Sequence, residues 1–230
     1  MDDTFPTHIG IIMDGNRRWA RSRDLPTFQG HKQGYERFLE VSEHAFERGL
    51  KVLSVFAFST ENWKRSEEEV GYLMGLLKKA VTESFNRLAD KGVKILISGR
   101  IDELPDGLAK EVREVMEKTK DNEKGICHIA LNYGGRPEIL DAAKQMLKDC
   151  VDPEAVTEDV FDQYLYQPGL PNIDMIIRTS GEQRTSGFFP WQGAYAEYLF
   201  VEKHWPDFGP EDLDAAIQEF QNRNRRFGGN

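Results

Sequence analysis

The sequence holds only two cysteines, Cys127 and Cys150, in 230 residues. They form no CxxC pair and no metal-like spacing. A disulfide scaffold is excluded, and the two read as reduced cytosolic thiols or small core residues. No run approaches the roughly 18 apolar residues of a membrane span. The opening MDDTFPTHIGIIMDG is acidic at its front and has no apolar stretch ahead of its first motif, which is not a signal-peptide pattern. A soluble cytoplasmic protein is the expectation, with peripheral membrane contact left open. Positive charge is also short, with 30 Lys and Arg against 39 Asp and Glu, a formal charge of −9. A nucleic-acid footprint needs the opposite balance, so no nucleic-acid partner is expected. An anionic substrate is compatible, because surface charge is screened beyond about 8 Å and a local arginine cluster can dominate a cleft. There is no internal repeat, low-complexity tract or Gly/Ser linker.

What is present is an ordinary globular composition, 39% hydrophobic and 30% charged. The length suits one sizeable domain spanning residues 1–230, long enough to bury a core unaided. Short apolar runs read as buried strands at His8–Met13, Val52–Phe58, Val93–Ser98, His128–Asn132, Met175–Ile177 and Tyr198–Val201. Helical segments alternate with them: Gln29–Arg48, Glu67–Lys91, Leu104–Lys120, Pro137–Cys150, Glu158–Tyr166 and a last one near Glu211–Arg226. This alternation predicts an α/β fold with a central, mostly parallel six-stranded sheet flanked by about seven helices. The runs IGII, VLSVFAF and VKILI are continuously apolar, as strands covered on both faces are. Val70, Leu73, Leu77, Val81, Phe85 and Leu88 form one stripe at helical spacing. That stripe serves either core or dimer packing, or the wall of an apolar channel.

Chemistry gathers just past the carboxyl ends of the expected strands, where open α/β sheets bind ligands. The first such segment is Asp14-Gly15-Asn16-Arg17-Arg18-Trp19. Gly15 admits a ligand close to the backbone, N–H groups at a helix start suit phosphate, and Arg18 can grip it bidentately. Asp14 beside such a site suggests a Mg²⁺ bridge to phosphate oxygens. The second segment is Ser59-Thr60-Glu61-Asn62-Trp63-Lys64-Arg65, and Asn132-Tyr133-Gly134-Gly135-Arg136 ends the fourth strand. Arg178, Arg184 and Ser186, on a Gly/Ser loop that also holds Thr185, form a second anion cradle. Two cradles on one rim suggest two phosphorylated substrates. Glu197 either completes a metal site with Asp14 or is simply solvated, and His31 either bonds a phosphate or is structural. Trp19, Phe56, Phe58, Trp63, Phe188, Phe189 and Trp191 crowd the same loops. With the cradles, they suit a substrate with a diphosphate head and an apolar tail. No GxxxxGK[ST] loop and no GxGxxG after a strand is found, which removes P-loop and dinucleotide readings.

In order and spacing, HIGIIMDGNRRWA, GHKQG, FAFSTENWKR, NYGGR, IIRTSGEQR, WQGAYAE, WPDF and RRFGG closely resemble the cis-prenyltransferase family. The likeness runs from about His8 to Gly229. It implies a homodimer, an apolar tunnel between sheet and helices, and Mg²⁺-dependent condensation of isopentenyl diphosphate with an allylic diphosphate such as farnesyl or geranyl diphosphate. By the same resemblance Asp14 is the catalytic Mg²⁺ aspartate and Glu197 a second metal ligand. Gly15, Asn16, Arg18 and Trp19 match the allylic-substrate loop, with Arg17 between them a further substrate-binding candidate, His31 nearby and Ser59, Thr60 and Glu61 as its second wall. Asn62 matches the residue assigned as proton acceptor, flanked by Trp63 and Arg65. Arg178, Arg184 and Ser186 match the isopentenyl diphosphate cradle, and Thr185 beside them is a further substrate-binding candidate. Arg226-Phe227-Gly228 resembles an element that reaches a neighbouring subunit's site.

The sequence departs from the family pattern at four places. Arg17 stands where many members have Gly, and Thr27 where many have a phosphate-contacting Arg, for which Arg17 compensates in this reading. Gln183 replaces a His seen in some members, and Pro190 a common Leu. The presence of Asp14, Asn62, Arg178 and Arg184 favours an active enzyme over a non-catalytic partner subunit. Small Ala57 favours a long, undecaprenyl-like product over a short-chain one.

Overall fold

The computed structural model describes residues 5–223. Six strands form one sheet: β1 (His8–Ile12), β2 (Val52–Ser59), β3 (Val93–Ser98), β4 (Gly125–Tyr133), β5 (Met175–Thr179) and β6 (Glu197–Val201). All neighbours pair in parallel, in the order β3-β4-β2-β1-β5-β6. The helices are α1 (Asn16–Arg21), α2 (Thr27–Glu47), α3 (Glu67–Lys79), α4 (Phe85–Asp90), α5 (Asp106–Lys118), α6 (Gly135–Lys148), α7 (Glu158–Asp162) and α8 (Pro210–Asn222). Each expected strand overlaps an observed one, and the fold class is as the alternation predicts. No described helix is long and apolar enough to cross a membrane.

Burial follows position in the sheet. β1 and β5 are buried along their whole length, whereas the outer strands β3 and β6 carry half-buried residues. Ile9, Ile11, Leu53, Val55, Ile95 and Ile97 turn one face towards Phe38 and Val41 of α2, Val112 of α5 and Leu213 and Phe220 of α8. Ile12, Ala130 and Ile176 turn the other towards Phe188 and Phe189.

Three helices differ from expectation. The rod expected over Glu67–Lys91 is interrupted by a π turn at Ala80–Ser84 between α3 and α4, where Tyr35 and Ser84 share a hydroxyl hydrogen bond. Its apolar stripe then divides between the two readings. Val81 and Leu88 enter the core, Leu73 and Leu77 line a cavity, and Phe85 is buried where the two meet. α7 stops at Asp162, short of Tyr166, because Tyr166 is drawn to α6: its N–H donates to Glu138 and its hydroxyl to Asp141. α8 ends at Asn222, and Arg223 leaves the helix to pair with Glu197 and Glu219. The Arg226-Phe227-Gly228 element lies outside the described residues.

One polar line crosses the otherwise apolar sheet. The Pro171 carbonyl can only accept, so His8 Nδ1 donates to it at 2.8 Å. In a neutral His8 ring Nε2 is then an acceptor, and each later bond follows. Ser54 donates to His8 Nε2 at 2.6 Å, His128 Nδ1 donates to Ser54 at 2.8 Å, and Ser98 donates to His128 Nε2 at 2.6 Å. The four side chains belong to β1, β2, β4 and β3, are all buried, and close an unbroken line with both rings neutral. Burial pushes His8 down to about 4 and His128 to about 3. In the unfolded chain both titrate near 6.5, so the unfolded state binds more protons below that pH. Their stabilisation is full above about pH 6.5 and is lost as pH falls towards the folded values. Unfolding free energy is expected to drop by roughly 3 kcal/mol between pH 7 and pH 5. Urea titrations at the two pH values check this, and equal stabilities would contradict it.

Candidate active site

The carboxyl ends of β1, β2, β4 and β5 open into a cleft of about 940 Å³. Asp14 follows β1 directly. Its carbonyl accepts the Thr179 hydroxyl at 2.7 Å and the Trp205 N–H at 3.0 Å, which fixes the turn. Its carboxylate meets Arg178 Nη2 at 2.8 Å on one oxygen and Arg18 Nη2 at 3.1 Å on the other. Burial opposes the charged form, but the hydrogen bonds and charges of Arg178 and Arg18 outweigh it and hold the carboxyl below its usual range. Gly15 turns the chain into α1 at φ 105°, and a Cβ there would stand 2.0 Å from Ser180 Oγ. Asn16 begins the helix, and its buried Oδ1 has no partner.

Arg178, in β5, is the buried cation of the second cradle, and it also donates to the Arg184 carbonyl at 2.5 Å and Ser186 Oγ at 2.9 Å. Ser59, Glu61, Asn62 and Arg65 line the facing wall. The Ser59 N–H donates to Asn62 Oδ1 at 3.0 Å. One lone pair of the Asn62 oxygen is thereby used, while its amide nitrogen makes no hydrogen bond among the described residues.

A carboxylate overlooked in the sequence ties this wall together. Glu69, on α3, meets Arg65 Nη1 at 2.9 Å, His31 Nε2 at 3.2 Å and Arg17 Nη1 at 3.7 Å. Burial holds His31 below its usual range, against the opposing pull of Glu69. Glu182 likewise meets Arg18 Nη1 at 3.0 Å and pairs with Arg184. In the sequence only its place three residues after Ser66, the N-cap of α3, separates Glu69 from the solvated neighbours Glu67 and Glu68. The helical turn then faces it towards α2. Gly134, Gly135 and Arg136 also border the cleft, and their place after strand four was the available signal.

Not every expected residue reaches the cleft lining. The Trp19 indole donates to Asp207 at 2.7 Å, with Arg23 stacked 4.4 Å above its ring, so it staples α1 to the 205–207 turn. The Trp63 indole donates to Asn132 at 2.7 Å and sits edge-on to Phe58, bracing the 60–64 turn from behind. Thr60 packs against Gly134, where a Cβ would come within 2.8 Å of its hydroxyl. Arg184 is mostly exposed, and it and Thr185 lie outside the lining.

The expected pairing of Glu197 with Asp14 does not form within this chain. Glu197 opens β6 opposite Met175, which pairs with Ile9 near the start of β1. Asp14 lies past the other end of that strand, so at about 3.3 Å per residue the two carboxylates occupy opposite edges of the sheet. Glu197 is instead taken by Arg223 Nη1 at 3.0 Å. Among the described residues no three His, Cys, Asp or Glu side chains are grouped to hold a metal. A Mg²⁺ held by one carboxylate together with substrate phosphate oxygens does fit, because Asp14 is ionised and borders the cleft.

An apolar cavity of about 110 Å³ adjoins the cleft, between α2, α3 and the sheet. Met13, Asn16, His31, Ala57 and Leu73 line both spaces, so the polar cleft continues into the apolar one.

Removing the acid at the centre of this site should cost stability as well as function. Asp14→Ala leaves the buried Arg178 without its counter-ion, and loss of about 2–4 kcal/mol of unfolding free energy is expected. Denaturant titration of this variant checks it, and an unchanged or raised stability would contradict the pairing.

Comparison with known proteins agrees with this geometry. Residues 12–228 match the undecaprenyl diphosphate synthase family. The isoprenyl transferase of Thermotoga maritima is 47% identical over 226 residues, covering 97% of each chain. The decaprenyl diphosphate synthase of Mycolicibacterium smegmatis is 44% identical, over 98% of this chain and 78% of its own. The crystal structure of lavandulyl diphosphate synthase from Lavandula x intermedia, in complex with dimethylallyl diphosphate, superposes with a TM-score of 0.95 at 31% identity, covering 99% of this chain and 100% of that one. An arginine-lined cleft running into an apolar cavity, on a sheet of this topology and with relatives of this identity along the whole chain, makes this protein a member of the cis-prenyltransferase family and a prenyl-transferring enzyme.

Proposed function

We propose that the enzyme condenses isopentenyl diphosphate with an allylic diphosphate, in a Mg²⁺-dependent reaction, to give a long cis-polyprenyl diphosphate. The observation that carries this reading is the continuity of the arginine-lined cleft with the apolar cavity through Met13, Asn16, His31, Ala57 and Leu73. A diphosphate head needs the first space and a growing hydrocarbon tail the second. The homodimer, cytoplasmic location and transient membrane contact on product release belong to the same proposal.

Each part of the reaction has residues suited to it. The α1 start presents Gly15 and Asn16 backbone with Arg18 and Arg17 to the allylic diphosphate. Arg178 and Ser186 hold the isopentenyl diphosphate beside it. Asp14 would hold Mg²⁺, which when bound supplies charge stabilisation for the departing diphosphate. As that group leaves, cationic character grows on the allylic carbon. The arginines favour departure because they are already fixed by Asp14, Glu69 and Glu182 and need little reorganisation. The isopentenyl double bond attacks that carbon, and a proton is then lost. Asn62 is neutral and one lone pair of its oxygen is used, so it is no base. Its amide nitrogen orients the water or diphosphate oxygen that takes the proton. The apolar walls formed by Phe38, Leu73, Leu77 and Phe85 receive the tail.

Incubation with labelled isopentenyl diphosphate, farnesyl or geranyl diphosphate and Mg²⁺, followed by product sizing, should yield a ladder ending in a long polyprenyl diphosphate. Absence of elongation would refute the proposal. Asn62→Asp replaces a donor with a charge facing the diphosphates, and kcat should fall on the order of a hundredfold. Full activity with an unchanged pH profile would contradict its orienting role. Ala57→Leu narrows the junction of the two spaces and should shorten the product, and an unchanged length distribution would contradict Ala57 as part of the tail's path.

A further inference from the structure

We propose that Arg136 binds the diphosphate of isopentenyl diphosphate, an assignment that rests on the functional reading above. The argument begins with charge. In the second cradle Arg178 is matched by Asp14, and Arg184 by Glu182. Arg18 draws on the same two carboxylates, so three arginines share two counter-charges and none of the three is unpaired before a strongly anionic head arrives. Arg184 moreover lies outside the cleft lining. An unpaired cation on this side would meet such a head without first giving up a partner, and Arg136 stands there.

Among the cleft arginines, Arg17, Arg18, Arg65 and Arg178 each face a carboxylate. Arg136 lines the same cleft, and its side chain makes no hydrogen bond or ion pair among the described residues. Its backbone is fixed to both neighbouring walls. The Gly135 N–H donates to the Gly187 carbonyl at 3.0 Å, and a Cβ on Gly135 would stand 2.2 Å from Pro190 Cδ. That contact gives Pro190, unusual in the family pattern, a place in the fold. Gly134 packs on Thr60 across the other wall. One turn into α6 the buried Glu138 accepts the Tyr133 hydroxyl at 2.5 Å and the Tyr166 N–H at 3.3 Å, anchoring the helix start. Arg136 is thus a flexible cation on a rigid base, beside the Ser186-Gly187 segment that receives Arg178. Arg21, the other cleft arginine with no such partner, lies on α1, on the allylic side.

The test varies each substrate in turn for the wild type, Arg136→Gln and Arg136→Lys. The side chain is exposed, so neither variant should disturb folding. In Arg136→Gln the KM for isopentenyl diphosphate should rise about ten- to a hundredfold, the worth of a lost charge-assisted bond. Arg136→Lys keeps the charge without the planar fork and should show a smaller rise. The KM for the allylic diphosphate should stay within about threefold, and calorimetry with isopentenyl diphosphate alone should show the same weakening. A wild-type KM for isopentenyl diphosphate in Arg136→Gln, or a rise confined to the allylic substrate, overturns the assignment while leaving the enzyme's function standing. A wild-type chain that elongates nothing overturns the functional reading itself, and the isopentenyl assignment with it.

Discussion

In a sheet whose strands all run the same way, every carboxyl end falls on one edge. That constraint organises this molecule. It brings Asp14, Asn62, Arg136 and Arg178, distant in sequence, to one rim, because each lies in or just after a different strand of the same parallel array. It also sets Glu197 apart, since the residue that opens a parallel strand is on the wrong edge. Parallel pairing requires cover on both faces, and that accounts for the near-continuous apolar strands. The His8–Ser54–His128–Ser98 line is the exception. It is tolerated because each polar atom finds its partner across the neighbouring strand.

Electrostatics then decide what the rim can accept. The chain is acidic as a whole, yet the cleft is lined by six arginines, Arg17, Arg18, Arg21, Arg65, Arg136 and Arg178. Left alone, such a cluster would repel itself and scatter. Asp14, Glu69 and Glu182 prevent this, each bridging two or more cationic or titratable groups. The arrangement keeps donors positioned before any ligand arrives. Glu69 has a further consequence. It belongs to α3, whose Leu73, Leu76 and Leu77 wall the apolar cavity, so the cation cluster and that wall are mechanically joined.

Much of this was legible in the sequence. Apolar runs ending in Gly, Asn, Ser and Arg marked the strands and the rim together, and the spacing of DGN, STENW and RTSGEQR marked the two cradles. What escaped were features set by side-chain direction. Trp19 and Trp63 sit in the right loops, but their indoles turn to Asp207 and Asn132, behind the cleft. Glu69 looked like one of three solvated glutamates, although helical phase aims it inward. Glu197 is a metal ligand by resemblance and one of two open readings by position, and the sheet register puts it at the far edge from Asp14. The π turn at Ala80–Ser84 left no mark either, because a single added residue in a helical turn barely disturbs the apolar period.

The central claim is that the head of the substrate lies in the arginine-lined cleft while its tail enters the cavity between α2 and α3. A crystal structure with an unreactive thio analogue of farnesyl diphosphate tests this most directly. The account predicts phosphate oxygens within hydrogen-bond reach of Arg18 and the Asn16 backbone, and the isoprenoid chain running past Ala57 towards Phe85. A tail lying along the outer surface, or a diphosphate seated away from Arg18, would contradict it.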